Sequence, residues 1–397
     1  MLDLKMEEKL MSVLKKSISA IVCVAICLSC MVAFSACRLT KDETVFTFKS
    51  GDKSVDVKAG MYLLALVDAY GAFRTEYDEA VEKASATTSA DLDYANQTLE
   101  SKNYDTWNAD KAYESCATYA YVELEFDRLK LELTAEDIAN AEYQADYYWN
   151  QYGYNTVYEP NGVSYNTYLE YTKNSVKYSK IYDYYYGKYS DKEKKENAEL
   201  GSLRPSDKEI KKTISENYVI ADTISISLTS TDSTSSNVTT LSDEEKKFAK
   251  DKLQKYADRI NNGETFSKIY IEYNGQDMEE STESKKPKDK YATVYGSDKT
   301  SVGNEDYFED IKKQKIGKAV VLEFSDVYML VVKQDVLKDS YYYDSMSESA
   351  IQISEGENFT KKIEEDSKKL ECVKNDGAVK YYQPKKIEYP TTAASAQ

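Results

Sequence analysis

The sequence contains no histidine among its 397 residues. Histidine is the side chain whose ordinary pKa lies nearest to neutral pH, and it is the commonest metal ligand in proteins. Its absence excludes Ser-His-Asp and Cys-His catalytic groups. Glycine is also scarce, with 14 residues, and the motif Gly-x-Gly does not occur. The missing motif excludes glycine-rich loops for dinucleotides and nucleotide phosphates, so we expect no cofactor.

Cysteine is rare in the body of the chain. Six cysteines are present, and four of them lie at positions 23, 27, 30 and 37. Cys116 and Cys372 remain, far apart in sequence. They are either two small buried residues or the two halves of a disulfide. We favour the first interpretation, because free cysteine is among the most buried residue types.

Basic residues are outnumbered by acidic ones. The chain has 52 Lys and Arg against 69 Asp and Glu, a net charge of −17. Such a surface repels phosphate backbones, so we expect no nucleic-acid partner. The pairs Asp91/Asp93 and Glu279/Glu280 have the residue types of calcium or acid–base sites. In so acidic a chain a solvated surface is the better interpretation, and we predict neither a metal site nor a catalytic pair.

The N-terminal residues carry the strongest signal for location. Lys15 and Lys16 precede an apolar run over residues 18–36, which is typical of an export signal. The run ends Ala33-Phe34-Ser35-Ala36-Cys37, which resembles the bacterial lipobox. The resemblance implies a signal peptide over 1–36, a lipidated Cys37 and a protein anchored to the extracytoplasmic face of the cell membrane. Cys30 is the alternative lipidation residue, and an uncleaved transmembrane anchor is the alternative to cleavage.

The first half of the mature chain has mainly helical patterns. Residues 37–58 are predicted to be a tether with short strands at 45–48 and 54–57, and residues 59–204 a helical lobe. Helices are predicted from Ala59, from about Asn108, from the N-cap Thr134 and over 164–186. Residues 85–106 are predicted to be a loop, and 190–204 a linker or exposed helix end.

The second half mixes helices and strands. Ser206 and Ser242 begin capping boxes, and the helix after Ser242 is predicted to bury Phe248 on its apolar side. A strand is predicted over 218–228, and a hairpin over 319–324 and 327–333. Residues 346–370 are predicted to be helical, 378–382 a strand and 389–397 disordered. The predicted fold class is therefore α+β and mostly helical.

The order of elements over 205–338 resembles a parvulin-type peptidyl-prolyl isomerase domain. The segments that carry the resemblance are Pro205–Ile210, Asn262-Gly263-Glu264-Thr265-Phe266, Tyr307-Phe308 and Ile316-Gly317. By position, Thr223 and Met329, or its neighbour Tyr328, stand where that family has its active-site strand residues. The family's active-site histidines have no counterpart here, and both cysteines of the body lie outside this segment. We therefore assign no catalytic residue, and we take Phe266, Tyr307 and Phe308 as candidates for peptide binding.

Most of the mature chain resembles the PrsA/SurA-like foldase chaperones in the order of its elements. In that family N- and C-terminal segments form one helical lobe, and the parvulin-like domain is an insert. The resemblance implies that residues 339–388 return to the lobe of 59–204. It also implies unfolded or newly exported polypeptides as partners.

Tyrosine is the most unusual component, with 37 residues. The clusters Tyr147-Tyr148-Trp149, Tyr182–Tyr186 and Tyr341–Tyr343 either line a groove for unfolded chains or fill helix contacts, and helical spacing favours packing. The leading hypothesis is a membrane-tethered chaperone whose isomerase-like domain is inactive. The alternatives are an active isomerase with a histidine-free site, and a solute-binding or adhesion lipoprotein. A solute-binding protein would show alternating α/β lobes, and no such series is found.

Overall fold

The structure is a computed structural model, and it describes residues 42–84, 92–231, 238–279 and 286–388. The predicted signal peptide 1–36, the candidate lipidation residues Cys30 and Cys37, and the predicted disordered tail 389–397 lie outside the described residues. Asp91 and Glu280, one member of each acidic pair, lie outside them too. Within the described ranges, no helix combines the length and the apolar character needed to cross a bilayer.

The first elements form a strand pair followed by helices. In chain order they are β1 (Thr44–Ser50), β2 (Lys53–Lys58), α1 (Ala59–Lys83), β3 (Thr98–Leu99), β4 (Lys102–Asn103), α2 (Tyr104–Arg128), α3 (Ala135–Asp146), a π-helical turn (Tyr147–Gln151), α4 (Asn155–Tyr158) and α5 (Tyr165–Tyr186). Short 3-10 turns cover Tyr94–Asn96 and Pro384–Lys386.

The remaining elements alternate more often between helix and strand. They are α6 (Asp191–Glu196), α7 (Asp207–Asn217), β5 (Tyr218–Ser227), β6 (Thr229–Thr231), β7 (Val238–Thr240), α8 (Asp243–Asn261), α9 (Phe266–Asn274), β8 (Ala292–Gly296), α10 (Glu305–Lys312), β9 (Ala319–Glu323), β10 (Val327–Gln334), α11 (Ser340–Ser367), β11 (Glu371–Lys374) and α12 (Asp376–Tyr381).

The described chain is mostly helical with small sheets, which confirms the predicted α+β class. Every strand pair among the described residues is antiparallel, and none has the parallel βαβ arrangement of a solute-binding lobe. The chain divides into two compact units. Of the described residues, those up to 183 and those from 361 onward form unit 1, and those from 184 to 360 form unit 2. These boundaries fall inside the continuous helices α5 and α11, whereas the sequence predicted boundaries at 205 and 338.

Unit 1 joins the two ends of the described chain through a small sheet. A two-residue turn at Gly51 and Asp52 connects β1 to β2, and β11 pairs with the other edge of β1, so that Phe48 lies opposite Cys372. Gly51 has φ of 59°, which side chains other than glycine rarely adopt. The apolar faces of α1 and α2 pack on this sheet, with Leu66 and Ala120 fully buried.

Two predictions in unit 1 are wrong. Helix α2 begins at Tyr104 rather than near Asn108, because the Asn103 side chain accepts a hydrogen bond from the Thr106 backbone at 2.9 Å and caps the helix there. Residues 378–382 are not a strand. The Asn375 side chain caps α12 in the same way, and the C-terminal strand is Glu371–Lys374 instead.

Unit 2 is organised around a four-stranded antiparallel sheet in the order β8-β5-β10-β9. Side chains alternate between the two faces of a strand. In β10, Leu330 and Val332 therefore pack with α8 and α9 on one face, while Met329 and Val331 pack with α10 on the other. We call these the α8 face and the α10 face. The predicted β9–β10 hairpin is confirmed.

Two further predictions in unit 2 need correction. Residues 190–204 include a short helix, α6, because Ser190 and Glu193 form a capping box. Phe248 is not buried. It lies in the first turns of α8, and 73% of it is exposed although its neighbour Ala249 is buried.

Candidate functional site

Thr223, Tyr295 and Met329 meet on the α10 face of the sheet. They come from the neighbouring strands β5, β8 and β10. The Thr223 and Tyr295 hydroxyls lie 3.1 Å apart and share a hydrogen bond, and the Tyr295 hydroxyl lies 3.8 Å from the Met329 sulfur. The structure thus brings together the two residues that the resemblance assigned, and it adds Tyr295, which sequence reasoning missed.

Aromatic rings cover this group. Tyr307 lies edge-on to Tyr295 at 6.4 Å between ring centroids, and Phe324 lies 4.7 Å from Tyr307. Phe308 is buried beside them on α10, with the Lys312 ammonium 4.9 Å above its ring. Tyr295 and Met329 are both buried. The α10 face is therefore filled by its own side chains.

The chemistry available on the α10 face is limited to hydrogen bonding and apolar contact. A tyrosine phenol is neutral near pH 7, and burial raises the pKa of the Tyr295 phenol further above neutral pH. A neutral phenol donates a hydrogen bond but is a poor general base. The sequence of unit 2 contains no histidine and no cysteine. Across the described residues, no group of three or more acidic, cysteine or histidine side chains is arranged to hold a metal ion.

Phe266 lies apart from the other candidates. Its buried ring packs on the α8 face, 5.7 Å from Tyr291 and 6.2 Å from Tyr270. Phe266 and Phe308 are thus buried on opposite faces of one sheet. The three residues proposed for peptide binding do not form a common surface in this conformation.

A buried carboxyl group, that of Asp222, lies next to Thr223 in strand β5. Asp222 is 2% exposed, and its Oδ2 accepts a hydrogen bond from Gln334 at 2.9 Å. Its Oδ1 has no hydrogen-bond partner among the residues that the structure describes. Burial, together with the negative charge of Asp289, raises the pKa of Asp222 to about 7. The sequence signal for this buried carboxyl group was an acidic residue between the apolar positions of a predicted strand.

An apolar groove lies at the exposed Phe248. It is a cavity of about 480 Å³ whose apolar wall is formed by Ile226, Leu241, Phe248 and Tyr273. Glu244, Glu245 and Lys252 stand at its margin. Sequence reasoning missed this groove because helical spacing alone places Phe248 near the packed side of α8.

The tyrosine clusters divide between core and surface. Tyr184, Tyr185, Tyr186 and Tyr342 are buried, as the packing interpretation predicts. Trp149 is buried too, but Tyr147 and Tyr148 beside it are exposed. Unit 1 also has a polar cavity of about 580 Å³ between α2, α5 and the end of α11, with Glu114, Asn174 and Glu364 in its wall.

Cys116 and Cys372 are both free thiols in the structure. Cys116 lies in the core of unit 1 and Cys372 packs at its edge. Burial raises the pKa of the Cys116 thiol, so it is not a reactive thiolate.

Comparison with known proteins finds distant structural similarity and no family match. No protein-family model matches the chain, and no curated protein matches it. Among solved structures, PrsA from Bacillus subtilis matches with 16% sequence identity and a TM-score of 0.26, over 66% of this chain and 84% of that chain.

Proposed function

We propose that the protein is a chaperone that binds unfolded, newly exported polypeptides and has no isomerase activity. The observation that carries the proposal is the Phe248 groove. Phe248 is 73% exposed beside an apolar cavity, so together they form a contiguous apolar surface, and such surfaces mark sites that bind polypeptides or ligands. Apolar segments of an unfolded chain fit such a groove through their side chains.

The α10 face supports the second half of the proposal. A twisting prolyl amide would have to reach the polar groups that assist it, and here Tyr295 and Met329 are buried beneath Tyr307 and Phe324. The hydroxyl groups of Thr223 and Tyr295 already form a hydrogen bond with each other. Binding without catalysis is the function that this arrangement supports best.

The proposed location follows from the lipobox-like segment. Acylation of Cys37 would hold the protein at the extracytoplasmic face of the membrane, where exported chains emerge. Tethering raises the local concentration of the binding surfaces there. Radiolabelled fatty acid should be incorporated into the wild-type protein and not into a Cys37→Ala variant. Equal labelling of both proteins would refute the assignment.

The Phe248 groove is tested by one pair of substitutions. Phe248→Ser removes the apolar surface and Phe248→Leu retains it. Because the side chain is exposed, both variants should keep their folded stability to within about 0.5 kcal/mol. We expect Phe248→Ser to bind a permanently unfolded, fluorescently labelled protein about fivefold to tenfold more weakly than wild type. Phe248→Leu should bind within about twofold. Equal binding by all three proteins would exclude the groove as the site.

Isomerase activity is tested separately by the refolding of a protein whose slow step is prolyl isomerisation, which takes tens of seconds without catalysis. We expect the full chain to leave the rate constant of that step unchanged. Acceleration that depends on Tyr295 would instead establish an active isomerase with a histidine-free site.

A further inference from the structure

Unit 1 exposes a cluster of four tyrosines that no part of the proposed function uses. Its members are Tyr143, Tyr147, Tyr148 and Tyr152, which we call the tyrosine platform. They are 71%, 41%, 38% and 63% exposed. Tyrosines in a packed helix bury their rings, so four exposed rings side by side require another explanation.

The π-helical turn after α3 creates the platform. The backbone N–H of Tyr152 donates to the carbonyl of Tyr147, five residues earlier, at 3.3 Å. This spacing brings the two rings to the same side, with centroids 5.4 Å apart. Tyr143 stacks on Tyr147 at 6.3 Å and an interplanar angle of 11°. Single π-helical turns are rare and occur frequently at functional sites.

A packed layer beneath the platform holds it in place. Trp149, from the same turn, is buried and stacks on Tyr158 with its ring plane tilted by only 3°. Tyr148 stacks on Tyr154 at 5.6 Å, and Tyr154 in turn packs against Tyr168 in α5. The exposed rings are therefore the outer layer of a rigid aromatic stack. A rigid aromatic surface loses little conformational entropy when it binds.

The chain segment that carries the platform has only acidic charged residues. Residues 131–172 contain seven carboxylates and neither lysine nor arginine. Asp146 lies between the platform residues in sequence and accepts a hydrogen bond from Asn150 at 2.7 Å. Lys180 and Lys173 approach this stretch from α5, but they pair with Asp137 and Glu170. A tyrosine ring attracts cations to its face, and neighbouring carboxylates strengthen that attraction.

We propose that the tyrosine platform binds lysine- or arginine-containing segments of extended polypeptides, with the cationic side chains over its ring faces. The inference rests on the proposed function, because it names the kind of client segment that this second surface selects. An anionic lipid surface does not fit a platform surrounded by carboxylates. A second copy of this chain does not fit either, because each copy carries a net charge of −17.

The probes are two unstructured Gly/Ser-rich peptides that carry a neutral dye and are identical except that one has lysines where the other has glutamates. Fluorescence anisotropy with the full chain in mild detergent measures the affinity for each. We expect the lysine peptide to bind at least tenfold more tightly than the glutamate peptide. The double variant Tyr143→Ser/Tyr152→Ser should bind the lysine peptide about fivefold more weakly than wild type.

Two control variants separate ring chemistry from folding. Tyr143→Phe/Tyr152→Phe retains the ring faces and should bind within twofold of wild type. Tyr381→Ser removes a tyrosine of unit 1 that is 48% exposed outside the platform, and it should change nothing. Unchanged lysine-peptide affinity in the double serine variant would overturn the proposal. So would equal binding of the two peptides, stronger binding to vesicles of anionic lipid, or a dimer that the serine substitutions dissociate.

The unfolded-protein assay distinguishes the two proposals. If wild type binds the unfolded protein through Phe248 but does not distinguish the peptides, only the platform inference fails. If the platform binds the lysine peptide while no unfolded protein is bound, the chaperone function fails and the platform is a site for another cationic polypeptide.

Discussion

Unit 1 and unit 2 place their aromatic side chains differently. In unit 1, rings contact one another in a series that extends from buried Trp149 through Tyr168 and Tyr154 to exposed Tyr148. In unit 2, the sheet separates the rings, so that Phe266 on the α8 face and Phe308 on the α10 face never meet.

The two arrangements allow a polypeptide to bind in different ways. In unit 1 the surface rings continue the packed aromatic layer, so a binding surface needs no separate pocket. In unit 2 helices cover both faces of the sheet, and the proposed binding surface is the groove where Phe248 lies outside the packed side of α8. Substitutions in the two units should therefore have different consequences for stability and for binding.

A core substitution in unit 1 should have the greatest effect on stability. Phe73 is fully buried, and its ring lies 5.2 Å from that of Tyr104 and 5.3 Å from that of Trp107. Phe73→Ala should lower the free energy of unfolding of unit 1 by about 3–5 kcal/mol, because it removes a large ring and leaves a cavity. Hydrogen exchange of the α1 and α2 amides measures this loss. Tyr143→Ala is the matched control, and a loss of similar size there would contradict the division into core and surface rings.

The second largest effect is expected on the stability of unit 2, and it depends on pH. Asp222 has a pKa of about 7 in the folded chain, against about 4 in an unfolded chain. The folded state therefore holds the proton more tightly, and the stability of unit 2 should fall as the pH rises from about 4 to about 7. Asp222→Asn cannot ionise and keeps an acceptor for Gln334, so it should be more stable than wild type at pH 8 by about 2–4 kcal/mol.

Urea unfolding of unit 2, monitored by exchange of the β5 and β10 amides at pH 5 and pH 8, tests the Asp222 prediction. Asp326→Asn is the control, since that aspartate is in the exposed β9–β10 turn. An Asp222→Asn variant with the same pH dependence as wild type would show that Asp222 is ionised in the folded protein without penalty.

The weakest effects are expected at helix N-termini, where the two units are alike. Thr134 in unit 1 and Ser242 in unit 2 each cap a helix through a complete capping box. Thr134→Ala and Ser242→Ala should each lower the free energy of unfolding by about 1 kcal/mol, because one backbone N–H group loses its hydrogen-bond partner. Exchange rates in the first turns of α3 and α8 provide the measurement. A loss of stability in only one unit would mean that packing, and not capping, determines where the helix in the other unit begins.

Local signals made part of the fold predictable. The capping boxes at Thr134, Ser206 and Ser242 satisfy their helix ends with neighbouring residues, so the sequence alone specifies where those helices begin. The β9–β10 hairpin and the mostly helical class follow equally from local patterns. Contacts between distant residues were not predictable in this way. The strand β11 has no clear alternation of its own and is fixed by pairing with β1, more than 300 residues earlier.

The candidate sites also depend on contacts between distant residues that local sequence patterns do not specify. The resemblance located Thr223 and Met329, which do lie together, but the hydroxyl of Tyr295 joins them only through the register of β8 against β5. The exposure of Phe248 and of the tyrosine platform depends on which side of a helix faces solvent. For Phe248, helical spacing indicated the wrong side, and for the platform the π-helical turn changes the spacing itself.

Recognition of polypeptides by the exposed aromatic surfaces is best tested by the aggregation of a chemically unfolded protein after dilution, followed by light scattering in the presence of the full chain. Wild type should suppress the scattering at near-stoichiometric amounts, and the triple variant Phe248→Ser/Tyr143→Ser/Tyr152→Ser should lose most of that suppression. Scattering that wild type leaves unchanged, or that the triple variant suppresses equally well, would contradict binding through these surfaces.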